Sequence, residues 1–202
     1  MLNKNLPELN NFVDKNGKEI SLENHLTVLG FQGENPMKDA ILALNLKELV
    51  YDKFRGFKRF QIVILVPESA KDQVELLEKE LNQYEFLSYW KFGFGSDDNI
   101  LSFYQALKTS TNLDSSLKTL DVFIIDKERN QRGRLDDRDK NEIKRNLPIK
   151  GLSSYDCLDV SLLKNKMSED VRILFTEYRQ KRKGNFNSTT RRAEDLKGDE
   201  KN

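Results

Sequence analysis

The chain has 202 residues, of which 37% are hydrophobic and 33% are charged, a composition typical of a soluble globular domain with a heavily charged surface. Its 34 Lys and Arg residues nearly cancel its 33 Asp and Glu residues, which leaves a formal net charge of +1. This balance argues against a nucleic-acid-binding protein, because such proteins need a face of excess positive charge. No apolar run is long enough to span a membrane, and the sequence predicts no signal peptide.

The first quarter of the chain predicts a hairpin, a strand and a helix. Residues 8–22 read as two short strands around an Asn-Gly dipeptide, which is typical of tight hairpin turns. HLTVLGF (25–31) predicts a buried strand because its middle is apolar and β-branched. From Pro36 to Phe54, apolar residues recur at helical spacing. Pro36 suits the first turn of this helix, where its missing N–H costs nothing.

RFQIVILVP (59–67) has the strongest strand pattern, and a helix over 67–84 follows it with Ser69 as a candidate N-cap. A polar loop (109–119) and an irregular charged segment (136–159) interrupt the rest of the chain. Among the remaining predicted elements, a short aromatic strand (89–95) is followed by a short helix (97–108). A further strand (120–126), its hairpin return (127–135) and a closing amphipathic helix (160–181) come after them.

This order of elements predicts an α/β fold with a central mixed sheet and helices on both faces. It is the order of a thioredoxin-like domain with an N-terminal β-hairpin. We predict one such domain over 1–181, in which 136–159 is an irregular charged insertion. Residues 182–202 are predicted to form a disordered basic and polar tail.

Three segments carry a family resemblance: LPELNNFVDKNGKEISLEN (6–24), the strand–loop–helix at 26–54, and VFIIDKERNQRGRL (122–135). In the last segment an apolar strand ends at an aspartate, and Arg-Gly-Arg follows on the return. On these segments the chain resembles the Sco/SenC family over roughly residues 6–180. These are thioredoxin-fold proteins associated with copper delivery to respiratory oxidases. A peroxiredoxin-like protein would show the same order of elements, so that alternative stays open.

The resemblance implies a copper site whose ligands this chain lacks. The family places two cysteines, with three residues between them, between the buried strand and the helix, and a histidine before the later central strand. Thiolates suit Cu(I), and a helix N-terminus lowers their pKa. Here Phe31 and Asn35 stand at the cysteine spacing, and Lys118 stands near the histidine position. The resemblance therefore implies a degenerate active-site loop with no metal or cofactor, made of Phe31, Gly33, Glu34, Asn35, Pro36 and Lys118.

Two interpretations of the FQGENP loop (31–36) remain. Gly33 permits a tight turn, and the charge of Glu34 is favourable near a helix N-terminus. These features fit a redox-site junction that has kept its shape without its chemistry. We favour the interpretation as an ordinary connection between a strand and a helix, because the chemistry of helix starts alone accounts for these residue types.

Outside this loop, Cys157 is a candidate reactive thiol. Its acidic neighbours Asp156 and Asp159 would raise its pKa and weaken it as a nucleophile, and lone cysteines more often act as small hydrophobic residues. RLDDRDKNE (134–142) lacks the glycine and spacing of a calcium loop, so we interpret it as a solvated charged loop. We interpret His25 as a packing or hydrogen-bonding residue.

The preferred functional prediction is a non-catalytic, Sco-type binding or accessory protein at an envelope respiratory assembly, with a protein partner and no cofactor. The alternative is a thiol-dependent reductase or peroxidase that uses Cys157 alone. RQKRK (179–183), with Arg191 and Arg192, is expected to make at most a weak contact with an anionic membrane surface. The resemblance implies the extracytoplasmic, periplasmic face behind an anchor outside this chain, and a cytoplasmic location stays open.

Overall fold

The computed structural model of the chain describes residues 1–83 and 86–183. The chain divides into two compact units, Met1–Ser168 and Glu169–Asn202. The single domain expected over 1–181 stays a prediction. The disordered tail expected over 182–202 also stays one, because 184–202 lie outside the described residues.

The described strands form one six-stranded mixed sheet in the order β3-β2-β1-β4-β5, with β6 also paired to β4. β1, β2 and β3 are parallel, and β4 runs antiparallel to β1, β5 and β6. The strands are β1 (Leu26–Gln32), β2 (Phe60–Pro67), β3 (Trp90–Gly95), β4 (Lys118–Ile125), β5 (Gln131–Arg132) and β6 (Tyr155–Asp156).

Six α-helical segments accompany the sheet in the described part of the chain. A π-helical segment (Lys47–Tyr51) makes α1 and α2 continuous, a 3₁₀ turn (Glu68–Ala70) precedes α3, and a second π-helical segment (Leu162–Met167) precedes α6. The helices are α1 (Ala40–Leu46), α2 (Asp52–Phe54), α3 (Lys71–Leu81), α4 (Asp97–Gln105), α5 (Lys140–Lys144) and α6 (Ser168–Arg182).

β1 and β2 are buried along their whole length, because helices cover both faces of the sheet. On one face, Leu29 and Phe31 join a core cluster that includes Phe103 of α4. On the other face, Tyr51 packs against Phe60 and Trp90. The predicted α/β fold with a central mixed sheet is therefore confirmed.

The structure differs from the sequence-based expectations at the first hairpin. The Asn-Gly turn is present, with Gly17 at φ +75°, and the Asp14 carboxylate accepts the N–H groups of Asn16 and Lys18. The flanking residues form single bridges rather than strands, because Val13 pairs with both Glu19 and Phe94. Leu9 and Phe12 are drawn into the core cluster instead of continuing a ladder.

Two predicted helix starts are wrong in detail. Pro36 lies in a turn that the hydrogen bond from the N–H of Lys38 to the carbonyl of Asn35 closes. The helix α1 begins four residues later, at Ala40. Ser69 does not cap α3. It lies inside the 3₁₀ turn, and neither Pro67 nor Ala70 at the helix starts makes a side-chain cap.

The segment 136–159 contains more regular structure than its charged sequence indicates. α5 forms there because Asp139 and Glu142 make a complete capping box, which satisfies N–H groups that a short helix otherwise leaves unpaired. Tyr155 and Asp156 of β6 pair with Val122 and Asp121. In the described residues, no helix is both long and apolar enough to cross a membrane.

Candidate functional site

The junction between β1 and α1 is a turn built on Gly33. This glycine has φ +62°, and a Cβ atom there would lie 2.3 Å from the carbonyl oxygen of Ser116. The N–H of Glu34 donates to the same carbonyl at 3.2 Å. Only glycine tolerates both the left-handed backbone and this approach, so the junction is fixed against the loop that precedes β4.

The loop before β4 is organised by Asp114. Its carboxylate accepts the N–H groups of Ser116 and Lys118 at 2.9 and 3.0 Å, and the Ser116 hydroxyl at 2.7 Å. Burial alone would raise the pKa of Asp114, but these hydrogen bonds and the Lys118 charge outweigh it and lower the pKa. The loop is therefore a rigid turn held by a carboxylate that favours its charged form.

Lys118 lies beside the junction, opposite Gln32 in the β1–β4 register. Its Nζ is 2.9 Å from Asp39 Oδ2, just before α1, and 3.8 Å from Asp114 Oδ2. The hydrogen bond to Asp39 is the main cause that raises the pKa of Lys118. A lysine held protonated in this way has no lone pair to give to a metal ion.

The loop residues divide into core and surface. Phe31 is 1% exposed and meets the rings of Tyr104 and Phe123 edge-on, with centroids 5.1 and 6.2 Å apart. Pro36 is also buried, whereas Glu34 and Asn35 are exposed. The structure thus places Lys118 beside the FQGENP turn and leaves Glu34 and Asn35 as its accessible side chains.

Several residues of this site have no clear signal in the sequence. Asp39, Asp114 and Ser116 come from a turn and from a polar loop, and only the fold brings them to the junction. Gln32 is 4% exposed, and its Oε1 has no hydrogen-bond partner. A glutamine at the end of an apolar strand is the one feature in the sequence that identifies this buried polar position.

Cys157 is 3% exposed. Its N–H donates to the Leu120 carbonyl, and its own carbonyl accepts from Asn45 Nδ2 at 2.9 Å. Burial is the main cause that raises the pKa of the Cys157 thiol, followed by the charges of Asp156 and Asp121. These surroundings disfavour the thiolate, which is the nucleophilic form.

The other sequence candidates lie elsewhere in the described residues. His25 is half-buried, with Nδ1 2.9 Å from the Glu23 carbonyl, and burial is the main cause that lowers its pKa. The acids of 134–142 are engaged in ion pairs and a helix cap. Within 1–83 and 86–183, no group of three or more His, Cys, Asp or Glu residues is arranged to hold a metal ion. Arg191 and Arg192 lie outside the described residues.

No protein-family model matches the sequence, and no curated protein matches it. Among solved structures, the fold is similar to BsSco, a member of the Sco family of cytochrome c oxidase assembly proteins. The two are 16% identical with a TM-score of 0.52, over 85% of this chain and 93% of that chain.

Two further structures show the same architecture. A putative electron transfer protein from Aquifex aeolicus VF5 is 12% identical with a TM-score of 0.57, over 86% of this chain and 98% of that chain. A putative protein disulfide isomerase from Bacteroides thetaiotaomicron is 12% identical with a TM-score of 0.50, over 90% and 94%. The protein therefore has the Sco-like thioredoxin fold, with a sequence that has diverged far from these neighbours.

Proposed function

We propose that the chain is a non-catalytic, thioredoxin-like accessory protein that binds a protein partner through its junction surface. The junction surface consists of exposed Glu34 and Asn35 together with the Lys118–Asp39 ion pair. That ion pair is the observation that carries the proposal. Lys118 stands near the position of the metal-binding histidine in the Sco/SenC family. Its ammonium group is paired with Asp39 and has no lone pair with which to bind Cu(I).

The rigidity of the junction supports a binding role. The turn is fastened to Ser116 by a close glycine approach and by the N–H of Glu34. The opposing loop is fastened by the hydrogen bonds to Asp114. A surface that is already ordered loses little conformational entropy when it binds, so these contacts favour recognition without any covalent step.

The proposed setting comes from similarity alone. BsSco is described as a member of a family of cytochrome c oxidase assembly proteins. By analogy, we place this protein at an envelope respiratory assembly, on the extracytoplasmic, periplasmic face, with its role there being protein binding. A protein partner is expected at the junction surface, and no nucleic acid.

The binding proposal is tested by affinity capture from native membranes of the source organism. Wild-type protein is compared with Glu34→Ala/Asn35→Ala and with Glu75→Ala/Gln105→Ala, a control pair of exposed residues on α3 and α4. We expect the wild type and the control to recover one shared partner, and the junction variant to lose most of it. Equal recovery by all three proteins would show that the junction is not the binding surface.

The non-catalytic part is tested on Cys157→Ser. We expect neither wild type nor variant to compete with a chromophoric chelator for Cu(I), and both to show the same background turnover of peroxide and of a model disulfide. Tight Cu(I) binding, or turnover that the variant abolishes, would replace the proposal with a copper role or a thiol enzyme. Circular dichroism serves as the control that Cys157→Ser still folds with serine at this buried position.

A further inference from the structure

Residues 135–151 form a closed arm on the first compact unit, and we call this segment the arm. At its base, Arg134 and Leu152 exchange two backbone hydrogen bonds of 2.9 Å, and the N–H of Asp137 donates to the Lys150 carbonyl at 2.8 Å. Lys166 Nζ lies 2.5 Å from Asp137 Oδ2, which ties the base to the segment before α6. The arm therefore leaves and rejoins the fold at one place.

The arm is ordered without a core of its own, since α5 contains no buried residue. Asp139 accepts the N–H groups of Asn141 and Glu142 at 2.8 Å, and Glu142 returns a bond to the Asp139 N–H. Arg138 makes a two-pronged contact with Asp136, at 2.9 Å from Nε and 2.6 Å from Nη2. Local hydrogen bonds and ion pairs thus fix its shape in advance of any contact.

Large aliphatic side chains of the arm face solvent. Their exposed fractions are 58% for Leu135, 50% for Ile143, 42% for Leu147 and 70% for Ile149. Single exposed aliphatic residues are common on protein surfaces, but several of them on one preformed element are typical of an interaction site. Binding here would bury apolar surface without the cost of ordering the segment.

The charged side chains of the arm indicate what charge a binding partner would carry. Its carboxylates are already engaged: Asp136 by Arg138, Asp137 by Lys166, Asp139 by the helix N–H groups and Glu142 by Lys150. Three exposed cations differ from them, because their side chains make no hydrogen bond or ion pair within the described part of the chain. These cations are Lys140, Lys144 and Arg145.

We infer that the arm is a docking element for a protein that presents an apolar surface bordered by aspartate and glutamate side chains. Five cations and four carboxylates in 135–151 leave the arm a net charge of only +1. Attraction to an anionic lipid surface depends on net charge, and it would bring the arm's own carboxylates toward lipid phosphates. A protein surface can place its carboxylates against Lys140, Lys144 and Arg145 individually, so the discrete pattern favours a protein.

The probes are two synthetic helical peptides that share the same pattern of leucines. Glutamates flank the leucines in the acidic peptide, and lysines flank them in the basic peptide. Each is titrated into the full ¹⁵N-labelled chain and followed by amide chemical shifts. We expect the acidic peptide to shift the amides of 135–151 and the basic peptide to leave them unchanged. Binding of neither peptide, equal binding of both, or shifts confined to other regions would overturn the inference.

Charge reversal tests the three cations directly. Lys140→Glu/Lys144→Glu/Arg145→Glu should weaken the acidic peptide at least tenfold, whereas Lys58→Glu/Lys79→Glu/Lys108→Glu, with the same change in net charge at other exposed positions, should not. Ile143→Ser/Ile149→Ser should weaken it as well, at an unchanged melting temperature because both side chains are exposed. An equal loss of affinity in the control variant would show that net charge alone attracts the acidic peptide, and this would contradict the inference.

Two other occupants are tested with the same proteins. Vesicles of phosphatidylglycerol and phosphatidylcholine that bind the wild type more tightly than the acidic peptide does would assign the arm to a lipid surface. Sedimentation velocity reports self-association, and a dimer that Ile143→Ser/Ile149→Ser dissociates would make a second copy of the chain the occupant. Either result would contradict the assignment to an acidic protein partner.

Discussion

Individual residues decide the geometry of the junction through close contacts that a sequence does not display. Gly33 and Gly17 both have positive φ, but only Gly33 has its Cα against another backbone segment. Lys118 is a partly exposed lysine whose ammonium group lies 2.9 Å from the Asp39 carboxylate and 3.8 Å from the Asp114 carboxylate. The same residue types elsewhere in the chain would have no such role, because their neighbours differ.

Replacement of Gly33 by alanine should destabilise the fold by roughly 2–4 kcal/mol, through left-handed backbone strain and a forced shift of the Ser116 carbonyl. Gly17→Ala is the matched control, since Gly17 has positive φ and no atom within 4 Å of the added Cβ. Strain alone predicts about 1 kcal/mol there. Urea unfolding measures both, and equal losses would show that the Ser116 contact has no energetic effect.

Asp114 should make part of the stability depend on pH. Its pKa is lowered in the folded protein, so the charged form stabilises the fold above the unfolded value of about 3.9. This contribution is lost as the pH falls through the lower folded pKa. The difference in free energy of unfolding between wild type and Asp114→Asn should therefore be constant above about pH 5 and shrink below about pH 4. A difference that is independent of pH would contradict this role.

At the scale of elements, apolar patterning identifies strands well and helix starts poorly. The runs that became β1, β2 and β4 are seven or eight residues long and rich in apolar and β-branched residues, which is typical of buried strands. Helix starts depend on which carbonyls and side chains lie nearby, and serine occurs both at caps and in turns. Ser96 caps α4, whereas Ser69 lies inside a 3₁₀ turn.

This difference gives a paired experiment. Ser96 Oγ accepts the N–H of Asn99 at 3.3 Å, so Ser96→Ala should lower the free energy of unfolding by about 1 kcal/mol. Ser69→Ala removes no cap and should change it by less than about 0.5 kcal/mol. Thermal or urea unfolding of the two variants separates these cases, and a larger loss for Ser69→Ala would contradict the assignment of caps.

At the scale of the molecule, Gln131 joins three segments that are distant along the chain. It is fully buried in β5, and its backbone pairs with Asn3 and Leu2. Its side chain accepts from the N–H of Lys108 at 2.7 Å and donates to the carbonyls of Lys108 and Ser153. One residue therefore holds three segments together: its backbone holds the N-terminus, and its side-chain amide holds the segment after α4 and the approach to β6.

Gln131→Ala should cost about 2–4 kcal/mol, because it removes a buried side chain and leaves one N–H and two carbonyls without these partners in partly buried positions. Gln105→Ala, at an exposed position of α4, is the control and should change the stability by less than about 0.5 kcal/mol. Hydrogen exchange of the Lys108 amide should accelerate in the first variant only. An unchanged exchange rate would show that this network does not couple the segments.

The sequence by itself determined the α/β class, the alternation of strands and helices, and the absence of a cysteine pair at the FQGENP junction. These follow from apolar periodicity and residue identity, which are local properties. Only the tertiary structure decided that Asp39 and Asp114 reach Lys118, that Cys157 is buried, and that the arm of residues 135–151 leaves its aliphatic side chains exposed. Contacts between residues far apart along the chain depend on how the whole sheet and its loops are placed, and no local pattern encodes that placement.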